Sequence, residues 1–204
     1  MTTVRSVLFD MDGVFFDYDF AARFAALGIS TGVAAAEIEA RIFKSGYEDD
    51  ADWGRIDADA YLTGIAERLD AEVDAETWLA ARAGAMTPYP EMFALARRLK
   101  AQLPVALLSN NGWLLRANIA RLHPDLDALF APHLYFSAEL GGGKEDPATF
   151  GPLLDRLGWT PGTTLFVDDS PEYIAAAGAA GLRTHLFAGV DGFRAALADL
   201  GLLD

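Results

Sequence analysis

Two short acidic motifs carry the residue types that metal binding and acid–base catalysis use. Asp10 and Asp12 stand two residues apart in an Asp-x-Asp-Gly segment, and Asp168 is followed directly by Asp169. Two carboxylates a few ångströms apart cannot both stay ionised cheaply without a cation. Because Mg²⁺ prefers carboxylate oxygens and water, the two pairs together predict a magnesium site. The alternatives are an Asp-Gly turn for the first pair and a helix start capped by Ser170 for the second.

A lysine and a polar turn supply candidate phosphate ligands. Lys144 follows three glycines at 141–143, which allow the tight backbone path that brings an ammonium group into a cleft. The segment is not a P-loop, which requires Gly, four residues and then Gly-Lys-Ser/Thr. Ser109 and Asn110 supply a hydroxyl, an amide and backbone N–H groups suited to an oxyanion. The alternatives are a solvated surface lysine and an ordinary N-cap turn.

Short apolar runs precede the acidic pairs and the polar turn. Runs of three to five apolar residues that end in a polar residue are typical of buried parallel strands. Amphipathic helical patterns lie between the runs, and strands that alternate with helices predict an α/β fold with a doubly wound, Rossmann-like parallel sheet. The predicted strands cover residues 7–9, 105–108 and 164–167, with 133–137 and 183–187 as further candidates.

The predicted sheet explains how residues distant in sequence could form one site. In a parallel α/β sheet, the ligand crevice lies beyond the carboxyl ends of the strands. Asp10, Ser109, Asp168 and Asp169 all directly follow or end a predicted strand. We therefore expect these four residues to meet at one edge of the sheet.

One long segment breaks the alternation of strands and helices. Residues 16–87 contain helical patterns and no convincing strand, which predicts a small helical domain inserted after the first strand. The predicted division is a Rossmann-like core at 1–15 and 88–204 and a helical domain at 16–87. Pro90 is well placed as the first residue of the helix that resumes the core.

Composition limits the class of protein and its partners. The 204 residues include 16 basic and 30 acidic side chains, for a net charge of −14, which disfavours nucleic acid and anionic membrane surfaces as partners. The absence of cysteine excludes disulfides, cysteine-ligated metals and a thiol nucleophile. No stretch approaches the roughly 18 apolar residues of a membrane span, and no signal peptide is recognisable. We expect a cytoplasmic globular protein, and the sequence predicts no particular oligomeric state.

Taken together, four motifs resemble those of the haloacid dehalogenase-like (HAD) hydrolase superfamily. The family pattern is Asp-x-Asp-Gly, then Ser/Thr, then Lys, then an acidic pair, and the resemblance spans residue 4 to about 188. Two further segments, DWGRID at 52–57 and SAELG at 137–141, look closest to the sugar-phosphate phosphatase branch that includes α-glucose-1-phosphate phosphatases. The four matching segments are FDMDGV at 9–14, LSN at 108–110, GKEDPATF at 143–150 and FVDDS at 166–170.

The resemblance implies a Mg²⁺-dependent phosphatase with a small phosphorylated metabolite, such as a sugar phosphate, as substrate. Asp10 would attack phosphorus and form an aspartyl-phosphate that water then hydrolyses, which splits one slow hydrolysis into two easier steps. Asp12 would protonate the leaving oxygen and later deprotonate the water. The helical insertion would be the family's cap domain.

The resemblance also implies a ligand set for metal and phosphate. Mg²⁺ would be held by Asp10, by the backbone carbonyl of Asp12 and by Asp169. Asp168 would support the metal from outside its ligand shell or orient the active-site lysine. The phosphoryl oxygens would be held by Ser109, Asn110 and Lys144.

Two residues depart from the family pattern, and other activities fit the same motifs. Glu145 replaces the usual proline after the lysine, and Tyr173 replaces the usual Asp or Asn four residues after the acidic pair. The alternatives are a phosphotransferase or phosphomutase, a haloacid dehalogenase, and a non-catalytic relative that binds metal or ligand. Substrate specificity is expected from the insertion, with Tyr47, Trp53 and Arg55 as candidates.

Overall fold

The computed structural model describes residues 3–203. Within these residues, five parallel strands form a central sheet in the order β5-β4-β1-β6-β7. This arrangement confirms the predicted parallel α/β sheet, including both further candidate strands. The strands are β1 (Ser6–Phe9), β4 (Val105–Ser109), β5 (Leu134–Phe136), β6 (Thr164–Asp168) and β7 (Arg183–Leu186).

Helices cover both faces of this sheet. Pro90 is the first residue of its helix, as predicted, and Ser170 caps another by accepting a hydrogen bond from the backbone of Tyr173. The helices outside the inserted segment are α6 (Pro90–Lys100), α7 (Trp113–Leu122), α8 (Pro124–Phe130), α9 (Ser137–Leu140), α10 (Phe150–Leu157), α11 (Pro171–Ala179) and α12 (Val190–Asp199).

The central strands are buried on both faces because their side chains alternate between two apolar cores. Phe9 and Val167 pack into the larger core, where the Phe9 ring makes an edge-to-face contact with Phe193. Leu8 and Phe166 pack into the smaller core on the opposite face. Burial on both faces explains why these strands appear in the sequence as continuous apolar runs.

The prediction that residues 16–87 contain no strand is wrong at both ends of the segment. Strands β2 (Phe16–Tyr18) and β3 (Met86–Pro88) pair antiparallel and form a ribbon that connects the inserted helices to the sheet. Each strand has three residues, too few for a periodic pattern, and the pairing joins positions some 70 residues apart.

Between these two strands lies a block of helices, here called the helical insertion (residues 20–84). Three of its helices begin at an aspartate whose carboxylate accepts a hydrogen bond from a backbone N–H in the first turn. The insertion consists of α1 (Phe20–Thr31), α2 (Ala35–Ile38), a π-helical turn (Glu39–Phe43), α3 (Tyr47–Asp52), α4 (Ala58–Leu69) and α5 (Ala75–Gly84).

The helical insertion packs against helix α9 at the carboxyl edge of the sheet. The hydroxyl of Ser137 donates a 2.5 Å hydrogen bond to the backbone carbonyl of Asp52. Gly54, at φ +73°, lies so close to Ala138 that a Cβ atom would overlap the Ala138 carbonyl oxygen. This contact places the insertion directly over the crevice at the strand ends.

No single helix within residues 3–203 is long and apolar enough to cross a membrane. One pair, α1 with the helical residues 35–43, meets the length and composition criteria jointly but is bent by 107°.

Candidate active site

The predicted catalytic residues meet at the carboxyl edge of the sheet. Asp10 directly follows the central strand β1, and Ser109 and Asp168 end the strands on either side of it. Lys144 reaches the same place from the loop before α10. Asp10, Ser109 and Lys144 line a cavity of about 670 Å³ that lies between the strand ends and the helical insertion.

Lys144 is a buried cation between two carboxylates. Its side chain is 2% exposed, and its Nζ atom lies 2.5 Å from Asp10 Oδ1 and 2.7 Å from Asp168 Oδ2. Burial lowers the pKa of Lys144, but the charges of Asp10 and Asp168 outweigh it, and the net pKa is raised. Lys144 is therefore a fixed positive charge, and the alternative interpretation, a solvated surface lysine, is wrong.

A cluster of three carboxylates lies beside the lysine. Ligand oxygens of Asp10, Asp168 and Asp169 all lie within 4.8 Å of one another. Burial raises the pKa of Asp10 well above its ordinary value, against the opposing effect of Lys144, and desolvation together with Asp168 raises the pKa of Asp169. Such a cluster is costly to ionise without a further cation.

Gly13 keeps the first acidic motif close to the second. Its φ is +84°, and a Cβ atom at this position would overlap the carboxylate of Asp169. Glycine is thus required both by the left-handed backbone and by the approach of the carboxylate.

Asp12 is held by two residues outside the carboxylate cluster. Its Oδ2 atom accepts hydrogen bonds from Arg82 at 2.6 Å and from Asn111 at 3.3 Å. Its Oδ1 atom is buried and has no hydrogen-bond partner within residues 3–203. The two carboxylates of the first motif therefore have separate environments.

The turn after β4 is organised by its own polar side chains. Asn111 donates through its amide to the Ser109 hydroxyl at 2.8 Å. Asn110 accepts from the backbone N–H of Lys144 at 3.0 Å and donates to Glu145 at 3.1 Å. Asn110 therefore connects the serine turn to the lysine loop, and Glu145 adds a carboxylate to the cavity wall.

The second departure from the family pattern also contacts the lysine. The Tyr173 ring lies 4.6 Å from the Lys144 ammonium, centroid to Nζ, in a cation–π contact. Burial raises the pKa of the Tyr173 hydroxyl. An aromatic ring at this position thus packs against the cation instead of adding a further carboxylate.

The helical insertion contributes cavity residues that the sequence analysis missed. Arg23 and Arg82 are 1% and 2% exposed and both donate to the Tyr18 hydroxyl, at 2.9 and 3.2 Å. Both arginines lie on the apolar stripe of their helices, a signal that could have identified them. The other cavity residues from the insertion and the adjoining strand β2, apart from the predicted Trp53, are Asp17, Phe20, Phe43, Glu48, Asp49 and Asp52.

Of the three predicted specificity residues, one lines the cavity. Trp53 lies in the cavity wall. Tyr47 is buried inside the insertion, where its ring stacks on Tyr61, and Arg55 is an exposed ion-pair partner of Asp50. Neither Tyr47 nor Arg55 lines the cavity, although the Arg55 guanidinium lies 4.3 Å from the centroid of the Trp53 ring, and both specificity roles stay predictions.

Comparisons with known proteins agree with this architecture. A family model for haloacid dehalogenase-like hydrolases matches residues 4–181. The phosphatase MT3486 of Mycobacterium tuberculosis is 28% identical over 195 residues, which cover 90% of this chain and 87% of that protein.

Two solved structures share the fold. A predicted HAD-like family hydrolase from Porphyromonas gingivalis has a TM-score of 0.84 at 24% identity and covers 97% of this chain and 98% of its own. The HAD family enzyme bt-2542 from Bacteroides thetaiotaomicron, in complex with magnesium and inorganic phosphate, has a TM-score of 0.76 at 21% identity. That match covers 92% of this chain and 96% of the other.

Proposed function

This chain belongs to the haloacid dehalogenase-like hydrolase family, and on that premise we propose that it is a Mg²⁺-dependent phosphatase of a small phosphorylated metabolite. The observation that carries the proposal is Asp10, a buried carboxylate held by Lys144 at the end of the central strand, with the separately held carboxyl of Asp12 two residues away. A nucleophile and a proton donor at this spacing are what two-step phosphate transfer to a carboxylate requires.

The residues present fit a divalent cation. If all four were ionised, Asp10, Asp12, Asp168 and Asp169 would carry four negative charges, of which Lys144 and Arg82 in contact with them compensate two. We propose that Asp10, Asp169 and the backbone carbonyl of Asp12 hold Mg²⁺, with Asp168 in support. When bound, Mg²⁺ would neutralise charge between the nucleophile and the phosphoryl group.

The catalytic sequence follows from the chain's own side chains. A carboxylate oxygen of Asp10 attacks phosphorus while Asp12 gives a proton to the departing oxygen. Lys144, held by Asp168, places a fixed positive charge beside the developing phosphoryl charge, and Ser109 and Asn110 supply further polar contacts. Asp12 then takes a proton from the water that hydrolyses the aspartyl-phosphate.

We propose that the helical insertion is a cap domain, with the core at 1–15 and 88–204 and the cap at 16–87. Support comes from the contacts of Asp52 and Gly54 with Ser137 and Ala138 of α9, next to the cavity that Asp52 lines. A cap that closed over the cavity would exclude bulk water and strengthen the electrostatic contacts within it.

We further propose a sugar phosphate as the substrate. The wall that the insertion contributes combines the guanidinium of Arg23 with carboxylates such as Glu48 and Asp52 and with the rings of Phe43 and Trp53. Hydroxyl groups can accept from a guanidinium and donate to carboxylates, while the apolar face of a sugar ring packs on aromatic rings. A polyol leaving group would make both the polar and the apolar contacts that this wall offers.

The test is phosphate release from a panel of phosphate monoesters, with and without Mg²⁺. We expect Mg²⁺-dependent turnover of hexose phosphates above that of alkyl phosphates without hydroxyl groups, and none by Asp10→Asn. Equal rates on both substrate types would contradict the sugar assignment, and turnover by Asp10→Asn would contradict the nucleophile.

A further inference from the structure

A buried arginine of the helical insertion holds a carboxyl group of the sheet domain. Arg82, on α5, has a side chain 3% exposed, and its Nη2 atom lies 2.6 Å from Asp12 Oδ2. Asn111, from the turn after β4, donates to the same oxygen at 3.3 Å. Asp12 and Arg82 are 70 residues apart in sequence, so the contact connects the last turn of the insertion with the first acidic motif of the sheet domain.

Building this contact is costly, which argues that it does more than stabilise the fold. Removing a guanidinium from water carries a large desolvation penalty, and a hydrophobic side chain at a buried helix position would avoid it. The Nε atom of Arg82 is also buried and has no hydrogen-bond partner within residues 3–203. If the side chain at this position only stabilised the fold, leucine or methionine could do so without the cost of burying a charge.

We propose that Arg82 is a positioning residue for Asp12, through which packing of the insertion places the proton donor; this inference rests on the proposed phosphatase function. Two donors, Arg82 and Asn111, point at Oδ2 and together fix the orientation of the Asp12 carboxyl group.

The orientation of Arg82 is itself determined by the ribbon that connects the insertion to the sheet. Tyr18, the last residue of β2, accepts from Arg82 Nη1 at 3.2 Å and also from Arg23 at 2.9 Å. The Arg82 guanidinium also lies 4.9 Å from the centroid of the Tyr18 ring. The ribbon and the insertion together orient the Arg82 side chain toward Asp12.

Proton transfer from Asp12 accompanies the transfer of the phosphoryl group to Asp10. As a carboxylate oxygen of Asp10 forms its bond to phosphorus, the bond from phosphorus to the leaving oxygen breaks and its electron pair stays on that oxygen. The O–H bond of the Asp12 carboxyl group breaks, its proton moves to the leaving oxygen, and its electron pair stays on the carboxylate. Arg82 takes no part in the bond changes and acts by holding Oδ2, so its removal should impair the proton transfer step.

The test uses two substrates that differ in their need for a proton. Benzyl phosphate releases a basic alkoxide that must be protonated, whereas dinitrophenyl phosphate releases a stable phenolate. We expect Arg82→Met to lower kcat/KM about 10²-fold on benzyl phosphate, because general acid catalysis contributes at least that much, and only a few-fold on dinitrophenyl phosphate. Asp12→Ala should show the same dependence on the leaving group.

Arg23→Met is the matched control. Arg23 is equally buried in the insertion and donates to the same Tyr18 hydroxyl, but it makes no contact with Asp12. Its loss should lower the rates on both substrates by the same factor. If Arg82→Met behaves like this control, with equal losses on both substrates, the positioning role is overturned.

Two further outcomes of the experiment also have a defined meaning. If Arg82→Met does not fold, Arg82→Lys keeps the charge at the site and is judged by the same criterion, a loss that is larger on benzyl phosphate. If the unmodified protein hydrolyses neither ester with Mg²⁺, or if Asp12→Ala shows equal losses on both, the proposed function fails and the inference fails with it. Leaving-group dependence in Asp12→Ala without it in the Arg82 variants overturns the inference alone.

Discussion

Replacing Lys144 by alanine removes a cation that contacts two carboxylates of the site. The Nζ atom lies 2.5 Å from Asp10 and 2.7 Å from Asp168, and all three side chains are almost fully buried. The variant Lys144→Ala therefore leaves two buried carboxylates that face each other without a counter-charge. Stability and activity should both fall.

The magnitudes follow from this burial. Breaking a buried ion pair by removing one partner typically costs about 3–5 kcal/mol. Because burial already raises the pKa of Asp10, that carboxyl can take up a proton and limit the cost, so we expect about 3 kcal/mol. For activity, loss of one preorganised charge at the reacting group costs on the order of 10²-fold in kcat/KM.

The assay combines urea unfolding without Mg²⁺ and phosphate release with it. The matched control is Lys44→Ala, because Lys44 also forms an ion pair, with Glu39 at 2.8 Å, but its side chain is 69% exposed. This control should change stability by no more than about 0.5 kcal/mol and leave kcat/KM unchanged. Excess Mg²⁺ should not rescue Lys144→Ala, since a divalent ion needs ligands of its own at the lysine's position.

If Lys144→Ala matches Lys44→Ala in both stability and kcat/KM, Lys144 has neither the structural nor the catalytic role described here. A loss of stability without loss of activity would also contradict the catalytic role, because the lysine would then stabilise the site without acting on phosphate. Arg in place of Lys144 should rescue poorly, since a planar fork does not replace a compact ammonium group between two carboxylates.

Three further predictions concern the packing of the insertion, the metal cluster and pH. Gly54→Ala would force a Cβ into the carbonyl oxygen of Ala138 and should lower kcat/KM about tenfold or more, whereas Gly46→Ala, at φ +83° with open space around it, should cost only backbone strain. Gly13→Ala would displace a carboxylate of the metal cluster and should raise the Mg²⁺ concentration for half-maximal activity about tenfold or more. Burial, and then nearby positive charge, lowers the pKa of the half-buried His123 to about 4 from 6.5. The unfolded chain therefore binds more protons between these values, and stability should fall by about 1–2 kcal/mol as pH drops from 6.5 to 4, a slope that His123→Asn should reduce in pH-dependent urea unfolding.

The sheet and its polar edge could be predicted because each strand carries its own signal. The strands that end at or just before Asp10, Ser109 and Asp168 are buried on both faces, so each is a continuous apolar run that stops at a polar residue. Parallel pairing then brings the ends of those runs together without further information. The residue that completes the cluster, Lys144, could be placed only through the order of the family motifs.

The contacts made by the insertion could not be predicted in the same way. The ribbon strands β2 and β3 have three residues each, and they form because they pair with each other across the whole length of the insertion. Arg82 occupies an apolar helix face, but its partners Asp12 and Tyr18 lie 70 and 64 residues away in sequence and become its neighbours only in the folded protein. A helical pattern predicts which face of a helix is buried and says nothing about what it is buried against.

The central claim, that Asp10 is the nucleophile, is tested most directly by trapping the phosphorylated protein. Asp12→Ala should accept the phosphoryl group from dinitrophenyl phosphate, whose leaving group needs no proton, and then hydrolyse it slowly because no base activates the water. Acid quenching and mass spectrometry should find a phosphoryl adduct on the peptide that contains Asp10, removable by hydroxylamine, together with a stoichiometric burst of dinitrophenolate. Steady release of phosphate with Asp10 unmodified, or an adduct on another residue, would contradict the account.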